Sequence, residues 1–211
     1  MHTNPYEQYV TGDGHALTIV LVHGRTQTPA YMVALAERIG LPDIRYVLPS
    51  ADGNTWYPGS FMAPLDENEP DLSAALVHYN QVIEGLITDG TSVRNIVVGG
   101  FSQGACLTAE LLARFPRGYA GAILWTGGLI GPAGTQWPVQ TGLYGMPVYL
   151  TTSDVDPWVP PERVRETADW LTRCSADAQM RIFKQREHEV IDEEIDAARR
   201  LIVQAMNSGR E

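Results

Sequence analysis

With 211 residues, 44% of them hydrophobic, the chain can bury one substantial core but is too short for two ordinary domains. Its 15 Lys and Arg against 25 Asp and Glu give a formal net charge of -10, with no basic cluster, which excludes a nucleic-acid partner and disfavours docking on anionic lipid. No apolar run approaches the roughly 20 residues of a membrane span, and Met1 to Val10 has neither a basic nor an apolar signal region, so a cytoplasmic protein without stable membrane insertion is expected.

Residues 16–23 form a nearly continuous β-branched apolar run that ends at Gly24, the pattern of a strand buried on both faces. A short helix fits 30–39, and a second buried strand fits Ile44 to Leu48. A Pro/Gly-rich stretch, Asp52 to Pro70, then interrupts the rhythm. Beyond it Leu72, Leu76, Tyr79, Ile83 and Leu86 step by three and four along one helix face. The strand Asn95 to Gly99 leads into a helix at 103–114, and Ala120 to Trp125 into a second long loop, Gly127 to Gly145. Pro147 to Thr152, a helix at 161–173 and Met180 to Lys184 follow. Ile191, Ile195, Ala198, Ile202 and Ala205 mark the final helix.

Alternating strands and helices predict a single α/β domain, a mostly parallel central sheet with helices on both faces. Long ordered loops tend to be functional, and in such sheets ligands bind at the carboxyl ends of the strands. The loop insertions near 52–70 and 127–145 are therefore candidate binding walls. Cys106 and Cys174 show no metal-ligand spacing and no disulfide framework, so they read as reduced structural thiols.

The sharpest local signal is Gly100-Phe-Ser-Gln-Gly104, directly after a predicted strand and directly before a predicted helix. A strand-to-helix turn that holds a serine in strained geometry has no room for Cβ atoms two residues either side, and glycines at 100 and 104 remove those clashes. The turn would lift the Ser102 hydroxyl above the sheet and present the Gln103 N–H, at a helix N-terminus, to developing negative charge.

A serine needs an imidazole base and a carboxylate to orient it. His188 is the only histidine after Ser102, and it follows the last predicted strand. The order expected of this fold puts the acid between them, where Asp154 and Asp156 both qualify. The rigid Asp156-Pro157 step favours Asp156, with Asp154 as a hydrogen-bonding neighbour. A second oxyanion donor is expected after the first central strand, at the Arg25 N–H, while His23 reads as structural.

With these residues assembled, the chain resembles the phospholipase/carboxylesterase family of α/β-hydrolases, which includes acyl-protein thioesterases, lysophospholipases and small carboxylesterases. The resemblance rests on Val22-His-Gly-Arg25, Gly100-Phe-Ser-Gln-Gly-Ala105, Gly127-Gly-Leu129, Asp154-Val-Asp-Pro-Trp-Val-Pro160 and His188-Glu-Val190, in family order. Trp56-Tyr-Pro58, Phe61-Met-Ala-Pro64 and Asn68-Glu-Pro70 point to a subgroup. The resemblance implies Ser102, Asp156 and His188 as a catalytic triad, with Arg25 and Gln103 as the oxyanion hole. Two departures stand out: Arg25-Thr26 replaces the common Leu-Gly pair, and Glu187 stands where a glycine commonly precedes the histidine.

The expected reaction is hydrolysis of a small-molecule ester or thioester through an acyl-enzyme, without metal or organic cofactor. Trp56, Tyr57, Phe61, Met62, Leu129, Ile130 and Trp158 are candidate pocket residues, because pockets favour apolar and aromatic walls. A long-chain acyl thioesterase or lysophospholipase is the second enzyme reading, and a non-catalytic ligand receptor on the same scaffold is the competing class. Some relatives that the chain resembles are dimers, so a homodimer is a further expectation.

Overall fold

A computed structural model describes residues 7–11 and 13–208. Seven strands, β1 (Glu7–Val10), β2 (Leu17–Val22), β3 (Ile44–Leu48), β4 (Ile96–Phe101), β5 (Gly121–Trp125), β6 (Pro147–Ser153) and β7 (Asp177–Phe183), form one sheet in the order β1-β3-β2-β4-β5-β6-β7. From β3 to β7 all neighbours are parallel, and only β1 is antiparallel to its partner. Among the described residues five α-helices cover it: α1 (Pro29–Ile39), α2 (Asp71–Thr88), α3 (Gln103–Arg114), α4 (Pro161–Arg173) and α5 (Asp192–Ser208).

The strand period of two divides the core. Leu17, Ile19 and Leu21 of β2 face α1 and α5, where they meet Met32, Leu35, Ile195 and Ile202. Val20 and Val22 point the other way, toward Leu76, Leu107 and Leu111 on α2 and α3. Fully burying one such side chain is worth roughly 1.5–3 kcal/mol, and a strand buried on both faces must be apolar throughout. Helix α1 begins on Pro29, whose missing N–H costs nothing there, and stops at Gly40, which takes φ 62° and returns its N–H to Ala36 O at 3.0 Å.

Two features depart from expectation. Strand β1 has no buried residue and gave no apolar run to read, yet it pairs Glu7 with Leu48 and Val10 with Arg45 at the sheet edge. Strand β7 starts three residues before the expected Met180 and is not a buried strand: Gln179 and Arg181 are exposed while Ala178, Met180 and Ile182 are half-buried, as befits the other edge.

Register decides where the loops emerge. Val22 lies opposite Gly100, Phe101 opposite Trp125, Trp125 opposite Thr151, and Ser153 opposite Phe183. The segments leaving β2, β4, β6 and β7 therefore surface at one end of the sheet. Among the described residues no helix is long and apolar enough to cross a membrane, and no group of three or more His, Cys, Asp or Glu is arranged to hold a metal ion.

Candidate active site

Strand β4 passes into α3 through Ser102, which adopts φ 54° and ψ -119°. L-residues rarely hold such a backbone, and it persists only when neighbours over-determine it. The Ser102 N–H donates to Trp125 O at 2.9 Å, and its carbonyl accepts from Cys106 N–H at 3.0 Å. A Cβ on Gly104 would lie 2.0 Å from Val22 O, and one on Gly100 2.6 Å from the same oxygen. Glycine at both positions is what lets α3 start against the end of β2.

At this turn three side chains form a row. His188 Nε2 lies 2.8 Å from Ser102 Oγ, and His188 Nδ1 lies 2.7 Å from Asp156 Oδ2. The Asp156 side chain is shut off from solvent, and its Oδ1 accepts the N–H groups of Trp158 at 3.0 Å and Val159 at 2.8 Å. Burial alone would push this carboxyl up. The bonds from His188, Val159 and Trp158 and the histidine's charge outweigh it and hold Asp156 below the usual range. An ionised Asp156 fixes the proton on Nδ1, which leaves Nε2 free to accept the Ser102 hydroxyl. The Phe101 ring packs on the imidazole at 5.0 Å between centroids.

Asp154 does something else. Its Oδ1 accepts the Gln185 N–H at 2.7 Å, which ties the turn after β6 to the segment that carries His188. That segment has a second anchor in Arg186, which is buried and donates to the carbonyls of Glu187 at 2.8 Å and Glu189 at 2.6 Å, and to Thr126 Oγ1 at 2.7 Å.

The loop after β2 lies beside the row. Gln103 is the first residue of α3, so its N–H has no acceptor within the helix. The buried Gln103 side chain accepts the Trp56 N–H at 3.0 Å and donates to Tyr57 O at 2.8 Å. Arg25 sends its guanidinium to the carbonyls of Pro58, Tyr57 and Gly59 at 2.7, 3.0 and 2.6 Å. Thr26, which stands where glycine is common, takes φ 62°. His23 is fully buried; its Nδ1 meets Gly24 O at 2.8 Å and its Nε2 accepts the Ala51 N–H at 3.2 Å. Burial lowers its affinity for a proton, as suits a neutral ring wedged under the loop.

Ser102 and His188 open into a cavity of about 690 Å³ whose wall includes Arg25, Tyr57, Phe61 and Trp158. The other four expected pocket residues lie elsewhere. Trp56 is fully buried and donates its indole N–H to His23 O at 2.8 Å, which makes it a pin for the loop rather than a wall. Met62 is half-buried and packs against the core. Leu129 and Ile130 are fully buried because Arg163, itself 1% exposed, grips the carbonyls of Leu129 at 2.8 Å and Gly131 at 2.7 Å and draws the loop inward. Sequence reasoning missed Gln27, Ser60, Cys106 and Val159 as wall residues. Val159, three residues after Asp156, and Ser60, inside the 52–70 loop, carried a positional hint; Cys106 carried none. The Cys106 thiol is pushed up to about 12, chiefly by burial, and is not a reactive thiolate.

A mostly parallel seven-stranded sheet with a strained serine turn at the carboxyl end of a central strand defines an α/β-hydrolase. The chain belongs to the Phospholipase/Carboxylesterase family, whose sequence model matches residues 9–205, and is thus a hydrolase of the carboxylesterase type. Among solved structures it is similar to a phospholipase/carboxylesterase from Dyadobacter fermentans, with 32% identity over 96% of this chain and 98% of that one and a TM-score of 0.89. The Bacillus cereus carboxylesterase shares the fold at 22% identity, 95% and 93% coverage and a TM-score of 0.76. A carboxylesterase from Mesorhizobium loti does so at 21% identity, 94% and 93% coverage and a TM-score of 0.75. No curated protein matches the chain.

Proposed function

We propose that the protein is a serine carboxylesterase that cleaves carboxylic esters through an acyl-enzyme on Ser102. The observation that carries this reading is the unbroken hydrogen-bonded row Ser102–His188–Asp156 at the mouth of an open cavity. Ser102 Oγ attacks the ester carbonyl as His188 Nε2 takes its proton, and Asp156 stabilises the resulting imidazolium. The carbonyl oxygen becomes an oxyanion, held by the Arg25 and Gln103 backbone N–H groups, each such donor being worth about 3 kcal/mol when preorganised. Collapse expels the alkoxide, which leaves with the proton from Nε2. Water, deprotonated by His188, then cleaves the acyl-enzyme and restores Ser102.

A fluorophosphonate probe tests the central step. The folded wild-type chain should be labelled once and Ser102→Ala not at all. A folded wild-type chain that resists the probe would point instead to a ligand receptor on a hydrolase scaffold.

A further inference from the structure

We infer that the cleft is built for esters that carry a negatively charged group, most simply a carboxylate a few bonds from the scissile carbonyl, and that the Arg25 guanidinium selects them. This inference rests on the hydrolase reading and adds a substrate class to it.

The charge distribution is the first reason. The chain carries a formal net charge of -10, yet among the described residues no aspartate or glutamate lines the cavity and Arg25 is its one arginine or lysine. A lone fixed cation in a cleft concentrates anions there even when the whole molecule repels them. Tyr57, Phe61, Phe101 and Trp158 give the wall its aromatic part, and Thr26, Gln27, Ser60 and Gln103 add neutral polar groups without a fixed charge.

The second reason is how the guanidinium is held. It makes no ion pair with any described residue; its partners are three main-chain carbonyls, those of Tyr57, Pro58 and Gly59. Those carbonyls are fixed in turn, because Asn68 accepts the Gly59 N–H at 2.8 Å and donates to Ser60 O at 2.7 Å. A guanidinium has five N–H donors, and three are used here, so two remain for a ligand while the positive charge stays uncompensated. A side chain already locked in place loses little rotamer freedom when it binds, and the remaining Nε–H and Nη1–H can each donate singly to a carboxylate.

Position supplies the third reason. Arg25 lies in the wall of the cavity into which Ser102 and His188 open, so an ester seated at Ser102 shares the cleft with it. A bulkier apolar residue at this point would leave the cleft uncharged.

The alternative is a clamp with no role in recognition. Turnover of two esters of similar size, monoethyl succinate and ethyl butyrate, separates the two, measured by proton release for wild type, Arg25→Gln and Arg25→Lys. Wild type should favour the succinate monoester in kcat/KM. In Arg25→Gln the kcat/KM ratio of the succinate monoester to ethyl butyrate should fall about ten- to a hundredfold, the scale of a hydrogen-bonded charge pair, on top of any loss common to both esters. Arg25→Lys should fall between, since it keeps the charge but not the three-carbonyl anchorage that holds it in place. An equal loss on both esters in Arg25→Gln would mean a clamp and overturn the inference, as would a wild-type preference for the neutral ester. In either case continued turnover of ethyl butyrate leaves the hydrolase reading standing. If wild type cleaves neither ester and resists the fluorophosphonate, both fall together.

Discussion

Arg186 Nε stands 3.7 Å from Glu194 Oε2, an ion pair whose side chains are 3% and 0% exposed. It joins the segment that carries His188 to the first turn of α5, where Glu194 also accepts the Ile191 N–H at 3.0 Å. Burial is costly to both charges, and for Glu194 it outweighs the bond from Thr151 and the attraction of Arg186, so the carboxyl sits above its ordinary range. Removing one partner of such a pair typically costs 3–5 kcal/mol, roughly, because the other is left buried and uncompensated. Arg186→Met should lower unfolding stability by about 3 kcal/mol in urea titration and depress kcat as His188 loses its support. Glu194→Gln, which keeps an acceptor for Ile191 N–H and removes a penalised charge, should cost less. Equal stability of wild type and Arg186→Met would show that the pair contributes nothing.

The serine turn makes a harsher prediction. In Gly104→Ala the new methyl would meet the main chain of β2 at 2.0 Å, and no side-chain rearrangement can relieve a clash with backbone. The variant should fail to fold or lose its cooperative melt. Gly24→Ala is the comparison: its Cβ would meet the far end of Gln27, at 2.8 Å from Oε1, which can move. That variant should fold with a modest loss of activity, since the Gln27 carbonyl that accepts the Gly24 N–H at 2.9 Å is displaced.

Most of this architecture could be read from residue order because local rules and the global fold agree. Five of the six expected strands are parallel-sheet interiors, and each appears as an apolar run of the right length. The serine turn, its glycines, His188 and the two candidate aspartates were equally local. What escaped was set by distance in the chain. Leu129 and Ile130 look like pocket residues until Arg163, more than 30 positions away, pulls their carbonyls into the core. Trp56 looks like a pocket residue until Gln103 and His23 take its two N–H groups. The Asp156-Pro157 step already favours Asp156 over Asp154; what it could not give is that Gln185 occupies Asp154 while Trp158 and Val159 orient Asp156.

Thr26 offers a test of stored strain. Its φ of 62° is uncommon for a β-branched residue, and it is kept there by its N–H to Asn54 O at 2.7 Å. Glycine takes that conformation freely, so Thr26→Gly should gain about 1 kcal/mol of stability, reduced by the added freedom of the unfolded chain. A higher Tm with unchanged kcat would mean that the strain is incidental. A higher Tm with lower kcat would mean that the oxyanion loop depends on a stiff residue after Arg25.

Asp156 gives the clearest prediction in pH. Asp156→Asn presents an amide to His188 and should lower kcat by about 10³–10⁴-fold, the scale of losing the orienting carboxylate. Asp154→Asn keeps an oxygen for the Gln185 N–H and should retain most activity, so the pair of variants identifies the acid. The same carboxyl affects stability. It is held below its ordinary range in the folded chain, so its contribution is whole above an aspartate's usual value of about 3.9 and disappears as pH falls through the lower folded value. The Tm gap between wild type and Asp156→Asn should therefore be constant near neutrality and shrink below about pH 4. A gap that widened on acidification would require the opposite shift, with burial prevailing over the three hydrogen bonds, and would remove the basis for an ionised Asp156 in the row.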